Sequence, residues 1–189
     1  LALAISSIGF AGMFCVFSYL APTLLEVTGV GEHWIPVGLA ALGLGGIVGN
    51  IFGGWLFDKL GFKAIAWLLL WSIVVLLVFP LAAHSLWTIL PAAFAVGTMV
   101  SLGPPLQTHR MGVAGEAQSL SAASNHSAFN VANALGPWLG GLAISAGLGW
   151  TSTGYIGAAT AAVGLLVFWW AWTASNPSEE TRGAATACD

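Results

Sequence analysis

The sequence predicts an all-α integral membrane protein with six transmembrane helices. Three observations carry that prediction. Only 6% of the 189 residues are charged and 58% are hydrophobic, with a mean hydropathy of +0.89. Soluble domains carry about 25% charged residues. The charges are also confined to short links, which leaves four charge-free runs: Leu1–Leu25, His33–Phe57, Ala64–His109 and Ala117–Ser178. At about 20 apolar residues per membrane helix, these runs hold one, one, two and two spans. None of the runs alternates in the way that the strands of a membrane β-barrel must.

Span one is expected over about residues 1–21, closed by Pro22. Span two follows over 34–57, after a polar link that carries Glu26 and Glu32. A short charged link, Asp58 to Lys63, leads into span three over 64–83. His84-Ser85 then makes a tight turn into span four over 86–102. Gly103-Pro104-Pro105 predicts a stop or sharp kink there, because proline removes a helical hydrogen bond. Span five is expected over 119–146, long enough to tilt or bend at Pro137, and span six over 154–174. The bundle therefore occupies residues 1–174. Residues 175–189 are polar and rich in small residues, and read as a disordered tail on the cytoplasmic side.

Six spans leave no room for a soluble domain. A net charge of −3 without a basic run excludes nucleic-acid binding. Cys15 lies inside span one and Cys188 in the tail, too far apart to pair. The chain begins at Leu1 with no basic segment before the first apolar stretch, which argues against a signal peptide and for further chain upstream. An intramembrane protease would need Gly-x-Ser-Gly or His-Glu-x-x-His, and neither occurs, so the sequence reads as a non-enzyme. No cofactor or metal is implied.

Lys59 and Lys63 follow span two, Arg110 follows span four and Arg182 follows span six. All four fall on one side of a six-span chain, together with both ends. The excess of basic residues on the cytoplasmic side predicts that both ends of the segment are cytoplasmic.

Span two carries glycine at every fourth position, Gly45, Gly49 and Gly53, and span five carries Gly136, Pro137 and Gly140. Such spacing makes a flat groove where another backbone approaches closely, within this chain or on a partner. Span five is also the polar span. His126, Asn130 and Asn133 share a face at i, i+4 and i+7, and Phe129 joins them. Unpaired amides in hydrocarbon cost several kcal/mol, so this face must meet protein or water. It is expected to line a substrate path, with Phe14 and Phe17 of span one as aromatic companions.

The link after span two reads Gly54-Trp-Leu-Phe-Asp58-Lys59-Leu-Gly61-Phe-Lys63, which fits G-x-x-x-D-[RK]-x-G-x-[RK]. Gly61 permits a reversal, and Asp58 can pair with a basic group or a helix N-terminus. This link resembles the loop signature of the major facilitator superfamily. Phe17-Ser-Tyr-Leu-Ala-Pro22, Val48-Gly-Asn50 and the stretch Asn125–Gly141 are similar to the bacterial sugar-efflux and chloramphenicol-exporter branch. Span four lacks the Arg-Gly motif that antiporters of the family carry there, so the resemblance points to spans seven to twelve of a twelve-helix fold. It implies a C-terminal half-transporter in a bacterial inner membrane, acting in proton-coupled efflux of drugs, sugars or other small molecules by alternating access. It further implies a missing N-terminal six-span half, packed on Gly45, Gly49, Gly53, Gly136 and Gly140. The alternative is a self-contained six-span channel or a homodimeric half-transporter.

Overall fold

The computed structural model describes residues 2–107 and 118–175, and six of its helices are long and apolar enough to cross a membrane. The helices are α1 (Ala2–Glu26), α2 (Ile35–Leu60), α3 (Lys63–Ala82), α4 (Leu86–Gly97), α5 (Gln118–Ala143) and α6 (Ser152–Ser175), and α4 reaches membrane length only with the residues that follow it, as the span Leu86–Gln107. A 3-10 segment, Thr98–Leu102, extends α4, and a π-helical turn, Ile144–Leu148, extends α5. Residues 176–189 and most of the expected link between spans four and five lie outside the described residues. No strand occurs among the described residues.

Several helix ends differ from the sequence expectation. Pro22 does not close span one; it lies inside α1, which runs on to Glu26. The Thr23 hydroxyl donates to the Tyr19 carbonyl at 2.7 Å, supplying a hydrogen bond in the turn that the proline weakens. Asp58 and Lys59 belong to the last turn of α2 and not to a link. Gly61 makes the reversal, with φ 56 and its N–H on the Phe57 carbonyl at 2.7 Å. Pro104 and Pro105 do not stop span four, because residues 103–107 are helical again. The backbone tightens just before them, and proline is tolerated in the first turn of a new helical stretch. At the opposite end, Thr28 and Thr88 donate to the carbonyls of Ala83 and Ala82, both at 2.7 Å, and so satisfy the C-terminus of α3.

Helix α1 is the hub. It packs against α5 on one side and α6 on another, while α3 joins α6 and α4, and α2 lies on α4. Glycine sets these approaches. A Cβ on Gly12 of α1 would stand 2.6 Å from the Gly157 carbonyl oxygen of α6. A Cβ on Gly140 of α5 would stand 2.7 Å from Cys15 Sγ, and one on Gly136 would collide with the Ala11 carbonyl. Gly45, Gly49 and Gly53 of α2 meet the carbonyl oxygens of Phe94, Thr98 and Ser101 in the same way. The groove on α2 is therefore filled by the backbone of span four, and that on α5 by α1. This corrects the expectation that these glycines pack a further half.

The 3-10 segment keeps α2 and span four in register. Four residues of α-helix rise about 6 Å, and three residues of 3-10 helix also rise about 6 Å. Steps of four and four on α2 therefore match steps of four and three, Phe94 to Thr98 to Ser101, on the facing chain. Gly49→Ala or Gly53→Ala should destabilise the bundle by about 1–3 kcal/mol through overpacking. Gly43 has nothing within 4 Å of an added Cβ, so Gly43→Ala should be neutral or stabilising by up to about 1 kcal/mol. Thermal unfolding in detergent compares the three variants.

Candidate functional site

Helix α5 presents three faces. Ala128, Ala132, Gly136, Gly140 and Ala143 are buried at near-helical spacing, and this small-residue face lies on α1. Val131 and Trp138 form an apolar exposed face. His126, Asn130 and Asn133 form a third face, also exposed. The Asn133 carbonyl heads the turn in which Pro137 supplies no N–H, so that face carries a freed backbone acceptor as well.

Beside the amides is an aromatic contact between helices. The Phe129 ring lies 4.5 Å from the Phe10 ring and 5.4 Å, edge on, from the Phe14 ring. Phe10 is a buried core residue, while Phe14 and Phe129 are half-buried. Phe17 stands a turn further along α1 and is 43% exposed. The fold thus joins Phe14 to Phe129 and leaves Asn130, Asn133, His126 and Phe17 open on the α1–α5 side.

Polarity separates this side from the α3 and α6 flank. The exposed large side chains of α3 are Trp67, Leu70, Trp71, Val74, Leu77, Val78 and Leu81, and those of α6 include Val163, Leu166, Trp169 and Trp170. Such a flank suits hydrocarbon. An amide placed there would lose about 4–8 kcal/mol. Compared with that flank, the α1–α5 side is one that water or a polar solute can occupy at lower cost.

The sequence alone does not mark Tyr19 as a site residue. Its hydroxyl donates to the Pro137 carbonyl at 2.9 Å, and its ring fills the space left by Gly140 and Gly141. The adjacent glycines of α5 are the sequence signal for a large facing side chain. The loop residues are spread over two helices. Lys59 Nζ sits 4.4 Å from the Trp55 ring centroid, Lys63 starts α3, and an added Cβ on Gly54 would touch nothing. Asp58 is exposed and forms no ion pair among the described residues.

Six membrane-length helices define a multi-pass membrane protein. The chain belongs to the Major Facilitator Superfamily, whose family profile matches residues 2–187. It is 35% identical over 168 residues to the Inner membrane transport protein YdhP of Escherichia coli O157:H7, covering 88% of this chain and 43% of that protein. It is 34% identical to the MFS-type transporter YfhI of Bacillus subtilis, covering 75% of this chain and 36% of that protein. It is also 28% identical to the "Probable sugar efflux transporter" of Helicobacter pylori, covering 85% and 40%. The chain spans less than half the length of these relatives.

Single cysteines placed at Asn130 or Asn133, with Cys15 and Cys188 replaced, should react with a charged, membrane-impermeant thiosulfonate. Cysteines at Val163 or Leu166 should not. Equal labelling of the two pairs would remove the distinction between the two flanks.

Proposed function

We propose that this chain forms one six-span half of an efflux transporter and that the α1–α5 side lines the substrate path. The observation that carries the reading is the exposure of Asn130 and Asn133 on a bundle whose α3 and α6 flanks are apolar. Alternate exposure of a midplane site by rocking of two bundles is how repeat-built transporters work. The second bundle would be the N-terminal half, and the substrate a small molecule such as a drug or sugar. The sugar-efflux name of a relative and the 43% coverage of YdhP support this reading.

Within that cycle the residues divide the work. Asn130 and Asn133 offer both donors and acceptors to a polar solute. Phe14, Phe17 and Phe129 supply apolar area that tolerates varied shapes, as small-molecule pockets do. Glu26, Asp58, Lys59 and Lys63 all lie at helix ends, so among the described residues no span core holds a charge. The proton relay of a proton-coupled cycle would therefore rest with the other half, and His126 is read as a hydrogen-bonding residue. The exposed Asp58 would latch to that half, the role the loop resemblance implies. The bundle would sit in a bacterial inner membrane with both of its ends cytoplasmic, as the basic residues suggest.

Asn130→Ala in the full-length transporter, at matched expression, should lower efflux of at least one substrate by about 2–10-fold, the loss of one hydrogen bond. Unchanged efflux of every accepted substrate would reject the assignment. A protonophore should abolish efflux in energised cells, and efflux that persists without a proton gradient would reject the coupling. A cysteine at Lys63 should react with an impermeant reagent in inside-out vesicles only, and one at Glu32 in right-side-out vesicles only.

A further inference from the structure

A second feature lies on the flank opposite the α1–α5 side. A groove of about 490 Å³ opens where the start of α3 meets the end of α6, lined by Lys63, Trp67, Phe168, Trp169, Trp172 and Thr173. Its wall is fixed by packing. The rings of Phe62, Phe168 and Trp172 stack on one another at centroid distances of 5.0, 5.6 and 6.1 Å. Phe168 is buried, whereas Trp67 and Trp169 stand open on either side.

We propose that this groove binds one anionic phospholipid, with its phosphate on the Lys63 ammonium and an acyl chain along Trp67 and Trp169. The surroundings select the occupant. Apart from Lys63, the exposed large side chains described on this flank carry no amide, imidazole or charge, so in a membrane it faces lipid. Lys63 sits at the end of the bundle where Lys59 and the reversal at Gly61 also lie, which is headgroup depth for a helix that starts there. Among the described residues no carboxylate lines the groove and Lys63 forms no ion pair. Its charge is available to a phosphate.

The neighbouring groups fit the rest of the molecule. The Thr173 hydroxyl donates to the Trp170 carbonyl at 3.0 Å, so its oxygen is left as an acceptor for a headgroup hydroxyl such as that of glycerol. Trp67 lies one helical turn, about 6 Å, below Lys63. Leu70, Val74, Leu77 and Leu81 then continue an exposed apolar ridge along α3 for the length of an acyl chain. Lys59 differs from Lys63 in that its ammonium lies against the Trp55 ring on α2. It serves as the internal control, being a nearby lysine of equal charge outside the groove.

The test is native mass spectrometry of the full-length protein titrated with phosphatidylglycerol and with phosphatidylcholine of matched chains. One phosphatidylglycerol should be retained with a preference of about fivefold, which is what one lysine near an anionic headgroup supplies. Lys63→Gln should bring the two lipids to parity, while Lys63→Arg and Lys59→Gln keep the preference. Trp169→Ala should weaken retention of both lipids, and it probes the groove even if Lys63→Gln fails to fold. A preference that survives Lys63→Gln, or is lost equally in Lys59→Gln, would overturn the proposal. So would unchanged retention in Trp169→Ala, or displacement of the lipid by free glycerol 3-phosphate at matched concentration.

Discussion

Close approach of one helix backbone to another is the interaction on which the rest of this bundle depends. Lipid removes most of the hydrophobic drive between helices, because tails outside are as apolar as leucines inside. What remains is contact area, and glycine supplies it by letting backbones meet. The paired elements run in the sense that six consecutive spans require. Gly45, Gly49 and Gly53 advance along α2 as Phe94, Thr98 and Ser101 advance along span four, so those two are parallel. Gly9 and Gly12 of α1 meet Gly164 and Gly157 of α6 in reverse order, so those are antiparallel. One device therefore sets depth, register and direction together.

Committing the small-residue faces inward decides what is left outside. Helix α5 spends Gly136, Gly140 and its alanines on α1, and its amides consequently turn away from the core. Helices α2 and α5 are the least enclosed spans, with 22% of each buried, against 56% for α1. On α2 the uncovered surface is mainly Ile47, Val48, Ile51 and Phe52, which lipid or protein satisfies equally, with the exposed amide of Asn50 among them. On α5 it includes Asn130 and Asn133, which lipid does not satisfy. The two least enclosed helices are thus also the ones whose uncovered surfaces carry amides, two on α5 and Asn50 on α2.

The number of spans was legible because charges are excluded from hydrocarbon, so charge-free runs report membrane crossings directly. Helix ends were less legible for the same reason. Charge marks where hydrocarbon stops, whereas α2 continues through Asp58 and Lys59 into the interface. Pro22 misled because a membrane helix can pass through a proline without ending there. The glycine repeats announced close contacts but not their partners, since spacing on one helix says nothing about which backbone fills the groove. The 3-10 segment of span four was invisible, because its register exists only between two helices. The polar face of span five was readable, since 126, 130 and 133 share a face on any α-helix. Its companion Tyr19 needed the facing glycines to be placed.

The contacts between α1 and α5 also bear on how a substrate path on this side would change shape. Gly136 and Gly140 bring the two backbones together, Phe129 lies against Phe10 and Phe14, and Tyr19 ties α1 to the Pro137 carbonyl. Pro137 would otherwise be a natural place for α5 to flex. The Tyr19 hydrogen bond and the glycine contacts hold α1 on both sides of it, so bending there would break several contacts at once. Helices locked in this way move more cheaply as one body than past one another. In the proposed cycle Asn130, Asn133 and Phe14 therefore keep their mutual positions. Access to them changes when the whole bundle turns against its counterpart, and the loosely enclosed surfaces of α2 and α5 are where that movement disturbs the fewest internal contacts.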